Sequence, residues 1–306
     1  GAVGGDRDGH PFVTAEVTAL AWRMQARTAC MEYLRRIEQL SDQLSYSTRL
    51  CHPSPEFMAS LESDMARQSA GVESSVRRFI QEPYRRKLDI MRHRLARNME
   101  LIQRAIDGLE VSFETPGYAS AQAFLDDLLL IRDSLKSHDD GDVADRELAD
   151  LILLVRTFGF HLLQLDVRQE SGRHSEAVAE IFRQALGSDY TGLDEEARLA
   201  LLSEAIANPN ALQFDLARLP ENTQETLRVF QLIAHMRRSL GPDCFGRYVI
   251  SMTHTASHVM EVMCLATLAG LAGRMTGKWF CHSGVSPLFE TIDDLKRCHH
   301  LMTELF

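Results

Sequence analysis

The chain has 306 residues, 45% of them apolar, and a formal net charge of -10 from 33 Lys and Arg against 43 Asp and Glu. That is enough apolar mass for one large domain or two small ones, while the acidic balance argues against a nucleic-acid surface, which needs a dense basic field to neutralise phosphates. No run approaches the roughly 18 apolar residues of a membrane span, the N-terminus lacks the blocks of a signal peptide, and the six cysteines form no CxxC pair, so the expectation is a soluble, cytoplasmic protein with reduced thiols.

The first feature in chain order is GGDRDGHP, in which glycines flank Asp6, Arg7 and Asp8. Glycines permit positive φ or close backbone approach, and the alternating charges suit either a buried network or an exposed turn. A long amphipathic helix follows over residues 14–45, with Thr14 as N-cap and a stripe of Val17, Leu20, Ala21, Met24, Leu34, Ile37, Leu40 and Leu44. Further helices are expected over 56–79, 83–107 (Pro83 in the first turn, Gly108 at the cap), 120–135 and 145–158. The bases Arg85, Arg86, Lys87, Arg92, Arg94 and Arg97 lie on the third of these without interleaved aromatics. They read as a solvated face paired with nearby acids.

After Gly159 the pattern changes. FHLLQLDVRQE alternates as a strand, with Leu163, Leu165 and Val167 on one face and Gln164, Asp166 and Arg168 on the other. A turn is expected at Ser171 and Gly172, then helices over 175–186, 194–207 and 223–240. RYVISM (247–252) has strand composition, the segment from Ser257 is helical, and GVSPLFET (284–291) reads as a short strand running into a helix. Strand alternating with helix is the pattern of a parallel sheet or an α/β barrel.

In such a fold the functional groups sit at the C-terminal ends of strands, which singles out Arg168, Thr253 with His254, and Glu290. An arginine there suits a phosphate or carboxylate, because its planar fork donates paired hydrogen bonds and stays charged. An ion-pair cluster in the wall explains the same charges. Glu290 suits a hard cation but is only half of such a site, and the helix dipole accounts for Asp293 and Asp294. His254, His258, Cys281, His282, Cys298, His299 and His300 lack the spacing that organises a zinc site. No GxxxxGK[ST], GxGxxG or GxSxG motif is present.

Taken together, GGDRDGHP, EPYRRKL, VRTFGFHLLQLDVRQESGRHSEA, YVISMT and PLFETIDDL, in that order, closely resemble the phosphoenolpyruvate carboxylase family. The resemblance implies a mostly helical protein with partial α/β (TIM-like) barrel strands. It makes residues 1–306 a central fragment, with 1–158 mainly helical and 159–306 carrying strand–helix barrel segments. It implies a lyase reaction joining phosphoenolpyruvate and bicarbonate to give oxaloacetate and phosphate, with Mg2+ or Mn2+, in a homotetramer. Arg168 corresponds to the family's phosphate-binding arginine and Glu290 to a metal ligand, with Asp6, Arg7, Asp8, Asp166, Gln169 and Glu170 in support. Two positions depart from the pattern, Ala2 for a Trp and His10 for an Asn. The family's N-terminal catalytic His, second metal Asp and mobile Gly-rich Arg loop have no counterpart in this sequence, so the fragment alone is expected to be inactive. A non-catalytic relative acting as a helical binding or assembly scaffold is the alternative.

Overall fold

The computed structural model describes residues 4–10, 12–49, 51–68, 79–109, 117–138 and 141–305; Ala2 lies outside them. They form two compact units, each with its own core.

One unit comprises Arg23–Leu163 with Ser239–Gly241 and is helical. It takes most of α1 (Ala15–Gln43), followed by α2 (Pro55–Gln68), α3 (Pro83–Ile106), α4 (Ala121–Lys136), α5 (Gly141–Asp145) and α6 (Glu147–Phe158). The signals for α3 and α4 act as expected. Pro83 opens α3, Gly108 follows it with φ 70°, and Ser120 caps α4 through the Ala123 N–H. Leu88, Leu95, Phe124, Leu128, Leu148 and Leu151 are fully buried in the core. The Tyr33 hydroxyl crosses it to donate to the Gly159 carbonyl at 2.6 Å. The basic face of α3 is paired, as its composition indicates, but Lys87 is not on the surface. Its side chain is 0% exposed, and its ammonium sits 2.6 Å from Asp64 and 2.7 Å from Asp127.

The other unit comprises Gly1–Trp22, Gln164–Arg238 and Pro242–Phe306. Its framework is a parallel sheet of β1 (Leu165–Glu170), β2 (Phe245–Ser251) and β5 (Gly284–Pro287), in the order β1-β2-β5. Arg168 pairs with Val249, and Val249 with Ser286. Crossovers run through α7 (Ser171–Leu186), α8 (Glu195–Ala207) and α9 (Glu221–Leu240) between β1 and β2, and α10 (Ala256–Leu268) between β2 and β5; α11 (Ile292–Leu305) ends the described chain. Val167, Val178, Phe182, Phe230, Tyr248, Ile250, Val262 and Leu265 fill the interior. Phe230 stacks on Tyr248 with ring centroids 4.7 Å apart, and the Tyr248 hydroxyl meets His174 Nε2 at 2.9 Å. Burial holds the His174 imidazole neutral, with its pKa lowered to about 3.

The structure departs from the sequence reading at four further places. The strand begins at Leu165 rather than Leu163, because Leu162 takes a left-handed φ of 65° and leaves Leu163 exposed. Ser171 and Gly172 form no turn; α7 starts directly on β1. The first half of α1 buries Ala15, Ala19, Trp22 and Ala26 and exposes Val17, Leu20 and Met24. Small alanines permit close packing there, and the Trp22 indole N–H is anchored on the Cys244 carbonyl at 2.8 Å. An antiparallel hairpin of β3 (Ala272–Met275) and β4 (Lys278–Cys281) lies between α10 and β5. Strands β1, β2 and β5 supply the parallel strand–helix pattern expected, and among the described residues they amount to a three-stranded sheet.

The Lys87 cluster yields a stability test. Lys87→Ala would strand Asp64 and Asp127, leaving only Arg94, 3.2 Å from Asp127, to compensate them. Removing one partner of a buried pair costs about 3 kcal/mol. Urea unfolding should show that loss; a change below about 1 kcal/mol would mean the cluster behaves as a surface pair.

Candidate active site

The site is assembled by backbone before any side chain takes part. The stretch Gly5–Arg7 lies along the free edge of β1, with Arg168 N–H donating to Gly5 O and Arg7 N–H to Arg168 O, each at 2.9 Å. This explains the paired glycines. A Cβ on Gly5 would lie 2.1 Å from the Asp166 carbonyl oxygen, and Gly4, at φ 84°, would clash with Ala21. Any larger residue would push the segment off the strand.

That pairing splits the charges of DRD between two faces. Asp8 points with Arg168 and accepts from its Nη2 at 2.8 Å, and Asp6 lies 4.0 Å from Nε. Arg7 projects elsewhere, is 8% exposed, and donates from Nη2 to Glu225 on α9. The same Glu225 oxygen accepts the Ala15 N–H at the start of α1, at 2.7 Å. One carboxylate therefore ties the segment to two helices.

The second half of the site comes from the segments that follow β2 and β5. Leu288 N–H donates to Ile250 O and Thr253 N–H to Leu288 O. Met252 takes φ 53°, and its N–H meets Glu290 Oε2 at 2.8 Å. Farther along, His254 Nδ1 lies 2.9 Å from Asp294 Oδ1. Asp294 is buried, and its carboxyl is held below the usual range first by its bond from Thr291 and then by His254. These rungs fix Glu290, whose Oε1 reaches Arg168 Nη2 at 3.2 Å.

Arg168 and Glu290 are thus brought together, and Asp6 and Asp8 join them. The other expected neighbours do not touch the guanidinium. Asp166 accepts the Arg247 N–H at 2.7 Å, Gln169 accepts the Glu170 N–H at 3.0 Å, and Glu170 is exposed. Among the described residues the guanidinium instead contacts Asp8 and Glu290, with Asp6 4.0 Å from Nε. Sequence reasoning missed Glu225, one of two acids on an amphipathic helix, with no local signal.

About a third of each of the four side chains at the cluster remains solvent-accessible: 35% for Arg168, 34% for Glu290, 32% for Asp6 and 30% for Asp8. Three carboxylates around one guanidinium leave a local excess of two negative charges. That balance suits a divalent cation, but among the described residues no group of three His, Cys, Asp or Glu side chains is arranged to hold a metal ion. Glu290 is one hard-oxygen donor and the set is otherwise incomplete.

The family profile described as phosphoenolpyruvate carboxylase matches residues 2–306. The chain belongs to the phosphoenolpyruvate carboxylase family. It is 38% identical to the phosphoenolpyruvate carboxylase of Mycobacterium avium, over 99% of this chain and 32% of that protein. It is 36% identical to that of Thermosynechococcus vestitus, over 99% of the chain and 30% of that protein. The chain spans about a third of the length of these relatives.

Glu225 yields the test of this geometry. Glu225→Ala leaves the buried Arg7 charge and the Ala15 N–H without their partner, and should destabilise the chain by about 3 kcal/mol. Glu225→Gln should recover part of that loss. Equal, near-zero effects in thermal or urea melts would remove Glu225 as the brace.

Proposed function

We propose that these residues supply the phosphate-binding arginine and one carboxylate of a phosphoenolpyruvate carboxylase, a lyase that forms oxaloacetate and phosphate from phosphoenolpyruvate and bicarbonate. The observation that carries this reading is the meeting of Arg168 and Glu290 from separate strand ends, in a chain of that family. The remaining groups would come from segments outside residues 1–306. The same reading makes these residues a central part of the family's domain, with the parallel sheet belonging to an α/β barrel, and the assembled enzyme a cytoplasmic homotetramer.

Arg168 Nη2 is shared by Asp8 and Glu290, whereas Nη1 makes no hydrogen bond among the described residues. The substrate phosphate would take Nη1 and displace Glu290 from Nη2, while Asp8 keeps the guanidinium aligned. A bicarbonate oxygen then attacks phosphorus and the bond to the enol oxygen breaks, giving carboxyphosphate and the enolate of pyruvate. Carboxyphosphate releases carbon dioxide and phosphate, and the enolate carbon captures the carbon dioxide. Arg168 stabilises the charge spread over the transferring phosphoryl oxygens. Mg2+ or Mn2+ remains part of this reading through Glu290. The described donor set is incomplete for it, with Glu290 the one hard-oxygen donor that this reading assigns.

One observation favours a non-catalytic scaffold instead: both Glu290 oxygens are already engaged, by Arg168 and the Met252 N–H. Steady-state kinetics of a full-length carboxylase containing this sequence separates the two. Arg168→Ala should lower kcat/KM for phosphoenolpyruvate by roughly 10²–10³-fold, and Arg168→Lys should recover little because it lacks the planar fork. Unchanged kinetics, or no oxaloacetate from the unaltered protein, would contradict the assignment.

A further inference from the structure

We propose a second oxyanion site, for a phosphate monoester or inorganic phosphate, in the cavity of about 290 Å3 lined by Ala234, Arg237, Arg238, Gly270, Leu271 and His282. Its titratable lining is two guanidiniums and an imidazole, with no carboxylate, in a chain whose net charge is -10. Among the described residues neither arginine has a carboxylate within ion-pair distance. Most of the other arginines named above are paired.

Local structure makes the cavity a receptor rather than loose surface. Arg237 Nη1 donates to the Pro242 carbonyl at 2.6 Å, which fixes its fork and leaves other N–H groups to donate. A fixed fork loses less freedom on binding. The His282 ring lies against Phe280, with centroids 4.9 Å apart, and its backbone N–H is bonded to Leu271 O at 2.7 Å. Basic residues in the last turn of α9 also suit the helix dipole, but the dipole requires neither the hollow nor His282. At about 30 Å3 per water, the volume holds a phosphate with a small carbon skeleton.

The cavity is distinct from the Arg168 cluster. Pro242–Cys244 leads into the first residue of β2, and His282 precedes β5, so this site lies at the N-terminal edge of the sheet. Arg168 and Glu290 lie at the C-terminal edge. The seven residues of β2 separate the two edges by roughly 20 Å.

Titration of the chain with inorganic phosphate, followed by calorimetry and amide NMR, tests this independently of the catalytic reading. An Arg168→Gln chain should keep one saturable phosphate site, with shifts centred on Gly270–Ala272. Adding Arg238→Gln, an exposed position that leaves the core intact, should weaken that binding at least about tenfold, a change of 1.4 kcal/mol, and His282→Gln should weaken it in the same direction. If Arg168→Gln alone abolishes saturable binding, or if Arg238→Gln and His282→Gln leave it unchanged, the second site does not exist.

Discussion

A guanidinium gripped through its backbone on one side and by carboxylates on the other is the constraint from which the rest of the site follows. Arg168 is hydrogen-bonded at both its N–H and C=O to the Gly5–Arg7 segment, so the strand position that carries the charge also carries its aligning acid, Asp8. The grip depends on two absent side chains, at Gly4 and Gly5, and on a brace some 220 residues away in sequence, Glu225. None of these contacts makes a strong site alone. Together they hold a partly exposed arginine in one orientation without sealing it.

The counterpart is built by the same means from the other direction. The chain after β2 and the chain after β5 are stitched by main-chain bonds, by the Met252 N–H on Glu290 and by His254 on Asp294. Glu290 can therefore reach Arg168 although 122 residues separate them. Parallel strands deliver such groups to one edge of a sheet, which is why residues far apart in sequence converge there.

Much of the architecture was legible in the chain, and the exceptions share a cause. Pro83, Gly108, Ser120 and Asp194 act through local chemistry, so the helix boundaries they mark came out nearly as read. The buried face of α1 did not, because alanine and one tryptophan decide it through tertiary packing that hydropathy spacing does not register. Lys87 reads as a surface base until Asp64 and Asp127 arrive from other helices. The hairpin strands are four residues each, too short for alternation to stand out. At the site, Arg168 and Glu290 were found through motifs, whereas charge pattern alone favours an ion-pair cluster. The structure shows why: they do form an ion pair, with about a third of each side chain left accessible.

A phosphate-binding Arg168 requires that its pair with Glu290 be exchangeable. A structure of a full-length carboxylase containing this sequence, with phosphoenolpyruvate bound, tests it most directly. Phosphate oxygens should lie about 3 Å from the Arg168 guanidinium, with the Arg168–Glu290 contact opened and the Arg168–Asp8 contact kept. Phosphate bound elsewhere, with the Arg168–Glu290 pair intact, would contradict it.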